Sequence, residues 1–268
     1  MRGGAVPGEL SSLRERVAVA CRILARQGLA EGILGHVSVR IAADRLLIRC
    51  RGPAEEGLLF TSPEDVRLLG LDGMGELGEH SPPNELPLHL ETLRCRPEVM
   101  AVVHAHPPAV VAADLAGVPL RPVLGAYNIP ASHLAARGIP VYERSVLIRR
   151  RDLAEEMLSA MGDESVCLLR GHGIITVGST LEEAVVRAIT VDELARVCLD
   201  IARCGGTPEP VPNEDFAELP DLGSAFNDAL LWRSHVARLR HEGLDIERNN
   251  RAIDGVAGAS PGALVEER

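Results

Sequence analysis

Two histidines one residue apart, His104 and His106, close an apolar run from Val99 to Val103, and Pro107 and Pro108 follow at once. Successive side chains of a strand point to opposite faces, so positions i and i+2 share a face. Two imidazoles side by side at a strand end offer two neutral nitrogen donors to one divalent cation. Two donors do not complete a site, and three other residues are placed to add to them. His172 stands between Gly171 and Gly173, where the backbone can approach a neighbour closely and the ring can point outward. Glu85 opens an expected helix just after Pro82 and Pro83, and its carboxylate can serve as a ligand or as general acid and base. His89, four residues on, falls on the same helical face, where it would orient Glu85 or pack rather than ligate. Each has a plainer reading when taken alone. His172 can be a hydrogen-bonded turn residue, and Glu85 an acid favoured by the positive end of a helix.

The elements that must position these groups can be read from pattern and punctuation. Ser12 to Glu15 has the form of a capping box, with a helix over Val17 to Leu29 behind it. Gly35 to Ile41 alternates like a strand and should pair with Leu46 to Cys50 across a turn at Ala43 and Asp44. Ser62-Pro63-Glu64-Asp65 predicts a short helix. Another helix is expected over Glu85 to Arg94, then the strand ending at His106, then a helix over Pro108 to Ala116. A Gly- and Pro-rich stretch reads as a long loop up to Pro140. Strands are expected at Tyr142 to Ile148, Glu164 to Arg170 and Ile174 to Val177, with a helix at Asp152 to Met161 among them. Thr180 opens a second capping box and the longest helix, ending near Cys204 before Gly205 and Gly206. A last helix over Ala225 to His241 carries Trp232. Strands and helices mixed in this way read as one three-layer α/β domain over 8–245, and the small, polar residues 246–268 as a disordered tail.

Composition narrows the function classes. In 268 residues, 46% are apolar but only 2% aromatic, so the core must be aliphatic. A formal net charge of −10 argues against a nucleic-acid partner, because phosphate binding needs a basic surface. The six cysteines form no CxxC pair or tight framework, and read as reduced thiols of a cytoplasmic protein. No apolar run approaches the roughly 20 residues that span a bilayer.

Three ordered segments then carry a resemblance: Asn84-Glu85-Leu86-Pro87-Leu88-His89, Arg96 to His106, and Arg170-Gly171-His172-Gly173. Over about Leu13 to Cys204 the chain resembles the class II aldolase/adducin family. The resemblance implies a three-layer αβα fold with a mixed, mostly antiparallel central sheet. It implies that His104, His106 and His172 hold one divalent metal ion per subunit, zinc first, with Mn, Fe or Co as the other candidates. Glu85 would be the acid/base, and would ligate the metal when no substrate is present. It also implies a homotetramer with sites near subunit boundaries, where Tyr127, Tyr142 or His235 are candidates to complete a neighbour's site.

Within that family, sugar-phosphate aldolases cradle phosphate with small donors that this chain lacks. The corresponding positions read Gly35-His36, Arg51-Gly52 and Pro83-Asn84. His36, Arg49 and Arg51 instead offer donors suited to a carboxylate, although the two arginines also fit a solvated hairpin edge. These substitutions, with Arg121-Pro122-Val123, resemble the branch that decarboxylates hydroxylated aromatic acids of the 3,4-dihydroxyphthalate type. The expectation is a metal-dependent lyase acting on such a small-molecule carboxylate. An aldolase or epimerase acting on a sugar or sugar phosphate is the alternative, and a non-catalytic adducin-like assembly module is the reading from another class.

Overall fold

The alternation from Gly35 onward becomes strand β1 (His36–Ala42), which turns at Ala43 and Asp44 into β2 (Arg45–Arg49), as expected. The computed structural model describes residues 7–246. Within them, β3 (Val66–Gly70), β4 (Ala101–Ala105), β5 (Val141–Tyr142), β6 (Val166–Leu169) and β7 (Gly173–Gly178) complete a seven-stranded sheet. Its order is β3-β2-β1-β4-β7-β6-β5. Every neighbouring pair is antiparallel except β5 with β6. This is the mixed, mostly antiparallel sheet that the resemblance implied.

Both faces are covered, which makes the domain three layers. Val37, Val39, Ala101 and Val103 face helices α1 (Pro7–Arg26) and, further on in the chain, Leu181–Arg203. Ile48, Val102 and Ile175 point the other way, toward α2 (Leu86–Cys95) and the helix Arg151–Met161. Between these come α3 (Pro108–Leu115) and α4 (Ile129–Ala135), so the helix at Arg151 is α5 and the one at Leu181 is α6. Short α7 (Asn213–Ala217) and α8 (Gly223–His241) follow, and Trp232 of α8 is partly buried against the α1/α6 layer. Each fully buried Val, Leu or Ile contributes roughly 1.5–3 kcal/mol, which lets an aliphatic core do what aromatics do elsewhere. Arg40 is buried at the entrance to β4, donating to the carbonyls of Val99 (3.0 Å), Arg96 (3.3 Å) and Leu93. It thereby satisfies the open C-terminal carbonyls of α2 and ties that helix to the strand carrying His104.

Four local expectations differ from what is observed. Helix α1 begins at Pro7 rather than behind a Ser12 cap, because proline suits a first helical position and Leu10 and Leu13 already pack on the core. Ser62 to Asp65 forms a 3-10 turn, and β3 follows it unannounced, its burial lacking strict alternation. The loop before Pro140 contains α4, whose start is capped by the Asn128 side chain accepting the Ala131 N–H at 3.1 Å. Strand β5 stops at Tyr142, and of the residues expected to continue it Ile148 turns its N–H to Glu85 at the site. The expected tail lies, apart from Ile246, outside the described residues.

Candidate metal centre

Sheet register builds the centre. The β1/β4 pairing sets His36 opposite His104, and the β4/β7 pairing sets His104 opposite Ile175. All three therefore share the α2/α5 face, at the end of the sheet where β4 runs out. His104 is fully buried, and its Nδ1–H donates to the Ile174 carbonyl at 2.9 Å. That bond fixes the tautomer and leaves Nε2 as a bare lone pair. His106 lies just past β4, its backbone N–H held by the Leu29 carbonyl at 2.8 Å, and its Nε2 stands 2.8 Å from that of His104.

His172 arrives from the turn before β7. A Cβ on Gly173 would lie 2.3 Å from the Ala105 carbonyl oxygen, so only glycine lets this turn close against the end of β4. Gly171 has φ +60°, a conformation L side chains rarely adopt. Its N–H is taken by the Asp114 carboxylate of α3 at 2.7 Å, and Arg170 Nε approaches the other Asp114 oxygen at 3.3 Å. An acid on α3 thus holds the turn that presents His172.

Glu85 stands at the N-cap of α2, 3% exposed. Oε1 accepts the Ile148 N–H at 2.9 Å. Oε2 faces the imidazoles: 3.0 Å from His104 Nε2, 3.5 Å from His172 Nε2 and 3.8 Å from His36 Nε2. Donor atoms of Glu85, His104, His106 and His172 all lie within 4.8 Å of one another. Burial would raise the Glu85 carboxyl, but the imidazoles of His104, His172 and His36 around it outweigh that and hold Glu85 well below the usual carboxylate range. Burial, with His104 and His172 nearby, pushes His106 down to about 3. An anionic Glu85 beside a His106 held neutral is the protonation state metal ligands require. Three nitrogens and one carboxylate oxygen suit Zn, Mn, Fe or Co alike.

His36, 8% exposed, sits beside this cluster and is likewise pushed down by burial, to about 4. Its Nδ1 is 2.7 Å from His89 Nε2, and His89 Nδ1 is 2.6 Å from Ser38 Oγ. His89 therefore serves His36 and not Glu85. The reason is local: Glu85 caps the helix at φ −95° and ψ 26°, so helical i,i+4 spacing does not begin there. By strand alternation Arg49 falls on the opposite face of β2 from Ile48, buried and ion-paired with Glu55. Arg51 is partly exposed, and its Nη2 donates to Asn84 Oδ1 at 3.5 Å, one residue from Glu85. Tyr142 donates to Glu156 at 2.9 Å, His235 contacts Gln27 at 3.1 Å, and Tyr127 is 85% exposed. Sequence reasoning missed Ser38, Asp114 and Ile148. Ser38 was within reach, two residues from His36 on the same strand face; the other two are joined to the site only by tertiary structure.

Residues 15–199 match the class II aldolase and adducin N-terminal domain family. The chain is 57% identical to a 3,4-dihydroxyphthalate decarboxylase from Arthrobacter keyseri, over 84% of this chain and 93% of that protein. It is 48% identical to a 3,4-dihydroxyphthalate decarboxylase from Rhodococcus jostii, over 86% of this chain and 97% of that protein. Its fold is similar to that of L-fuculose 1-phosphate aldolase from Glaciozyma antarctica, with a TM-score of 0.71 at 21% identity, covering 90% of this chain and 95% of the other.

Proposed function

We propose that this chain, which belongs to the class II aldolase and adducin family, is a metal-dependent carboxy-lyase that removes carbon dioxide from 3,4-dihydroxyphthalate or a close hydroxylated aromatic acid. One observation carries the reading. Glu85, His104, His106 and His172 form a cluster able to hold a metal, and His36 stands beside it at the strand end where the resemblance implies a small phosphate donor in the sugar-phosphate aldolases.

A divalent cation, when bound by His104, His106 and His172, supplies Lewis-acid stabilisation to a ring oxygen that becomes anionic. The remaining steps belong to the chain. Ionised Glu85 takes the proton of the ring hydroxyl and delivers it to the neighbouring carbon that bears the carboxylate, giving a keto tautomer. The carbon–carbon bond then breaks, and the carboxylate leaves as carbon dioxide. Its electron pair restores the aromatic ring and leaves the oxygen as phenolate, which regains a proton from water. In sum, one carboxylate is replaced by one hydrogen and one proton is consumed. Arg51, at the rim beside Asn84, orients the substrate's carboxylate, and His36 donates from within. Arg49 stays with Glu55 and steadies the strand beneath.

Zinc is the metal we assign first, in a homotetramer whose sites lie near subunit boundaries. Exposed Leu115 and Leu147 support such a boundary, since they adjoin Asp114 and Ile148, which hold the His172 turn and Glu85. No helix among the described residues is long and apolar enough to cross a membrane. The six unpaired cysteines fit a reducing compartment such as the cytoplasm, and the decarboxylase relatives support a part in aromatic-compound breakdown. The test is direct. Zinc-loaded protein is incubated with 3,4-dihydroxyphthalate and, separately, with fuculose and ribulose phosphates. Carbon dioxide from the first and no aldehyde from the others is expected. Aldehyde release without carbon dioxide would make the protein an aldolase, and purification without stoichiometric metal would favour an assembly module.

A further inference from the structure

Ser38, His89 and His36 form a buried hydrogen-bonded row that ends at the site, and neither His89 nor Ser38 hydrogen-bonds to Glu85, His104, His106 or His172. Resting on the decarboxylase reading, we propose that His36 donates a hydrogen bond from Nε2 to the substrate's ring oxygen. His89 and Ser38 act behind it as positioning residues that hold it in the donor tautomer.

Proton bookkeeping along the row gives the direction. The contacts are Ser38 Oγ to His89 Nδ1 at 2.6 Å and His89 Nε2 to His36 Nδ1 at 2.7 Å. Each contact uses one hydrogen, and two directions satisfy both. If His36 donated to His89 and His89 to Ser38, the Ser38 hydroxyl hydrogen would be left with no acceptor in a position that is 0% exposed. His36 Nε2 would then also turn a lone pair toward the Glu85 oxygen 3.8 Å away. Both consequences are unfavourable, because an unmatched buried donor and two facing lone pairs each cost free energy. In the other direction Ser38 donates to His89, His89 donates to His36, and His36 Nε2 carries the hydrogen. The one hydrogen then without a protein acceptor, on His36 Nε2, faces the anionic Glu85 oxygen at the site instead of being sealed in the core.

That hydrogen then points into the space shared with Glu85 Oε2 and His104 Nε2, which is where the hydroxyl that Glu85 deprotonates has to lie. At 3.8 Å the gap to Glu85 is too long for a direct hydrogen bond and leaves the N–H for a substrate oxygen. A donor there strengthens as the oxygen becomes phenolate, so its benefit falls on the reaction rather than on binding. The row also accounts for a histidine at position 36: a shorter side chain would not reach from β1 to both His89 and the site.

Two measurements test this on full-length protein. In solid-state nitrogen-15 spectra of histidine-labelled protein, with the His36 signals identified by their loss in His36→Gln, hydrogen is expected on Nε2 and a bare nitrogen at Nδ1. Hydrogen on His36 Nδ1 in the unmodified protein would overturn the proposal without recourse to any variant. In Ser38→Ala, part of the His36 population should move its hydrogen to Nδ1. Zinc content should stay at the unmodified level, and kcat for carbon dioxide release should fall about tenfold with KM within about twofold. A Ser38→Ala protein with unchanged kcat, or with the whole loss in KM, would also overturn it. Should the unmodified enzyme release no carbon dioxide from dihydroxyphthalate, the decarboxylase reading fails by itself, and the spectra still report the tautomer.

Discussion

At the scale of single residues, the division of labour lies between Glu85 and the histidines. The Ile148 N–H holds one carboxylate oxygen of Glu85, so the other can only face the imidazoles. The carboxylate is ionised at neutral pH, and the proton it would deliver must first come from the substrate. Glu85→Gln keeps the side-chain shape and an oxygen able to accept from Ile148, but removes the base. Turnover should drop by at least about 10²-fold, the scale of a lost general base. His104, His106 and His172 remain, so zinc should still bind one per chain. Parallel measurement of kcat and bound metal checks both halves. A Gln variant turning over within about tenfold of the unmodified enzyme would move the proton chemistry to another group.

At the scale of elements, the centre depends on three pieces meeting: the end of β4, the cap of α2, and the turn before β7. Asp114 of α3 fixes that turn through the Gly171 N–H. Asp114→Ala should therefore weaken zinc binding by about 10–100-fold, as loss of a group supporting a ligand does. Activity should recover at saturating zinc, and competition against a chelator measures the affinity. An unchanged affinity would show that the glycines alone hold the turn. Much of this assembly was legible beforehand. The histidine pair, the glycines beside His172 and the prolines before Glu85 each mark a local backbone need, and local needs are written locally. What escaped was set by distant partners. Ile148 reads in the sequence as the end of a strand from Tyr142, but its N–H is spent on Glu85 rather than on a neighbouring strand. Arg49 reads as a carboxylate donor or as part of a solvated hairpin edge, and it is instead buried and paired with Glu55, reached only through the loop after β2. His89 was read to the right layer and the wrong partner, since helical spacing was counted from a residue that is not yet helical.

At the scale of the whole molecule, burying so many imidazoles makes stability depend on pH. In metal-stripped protein, burial holds His106 near 3 and His36 near 4, and holds His89 well below its ordinary value. In the unfolded chain each returns to about 6.5. Between these values the unfolded state binds the extra protons, so stability is full above about pH 6.5 and is lost as pH falls toward 4. Asp192, Glu193 and Asp228 are raised by burial and act in the opposite sense, binding protons in the folded state above the usual carboxylate range. Glu85 is ionised in both states through most of that window and matters only near its lower end. The histidine share is isolated by comparison with His106→Gln, in which the carboxyl contributions are common to both proteins and cancel. Thermal melts of the two stripped proteins should show the unmodified chain losing Tm relative to His106→Gln as the pH is lowered from 6.5 to 4. A constant or opposite difference would mean that the folded protein protonates His106 as readily as the unfolded chain or more so. Zinc should protect against the same loss, because a nitrogen lone pair given to the metal is withheld from the proton.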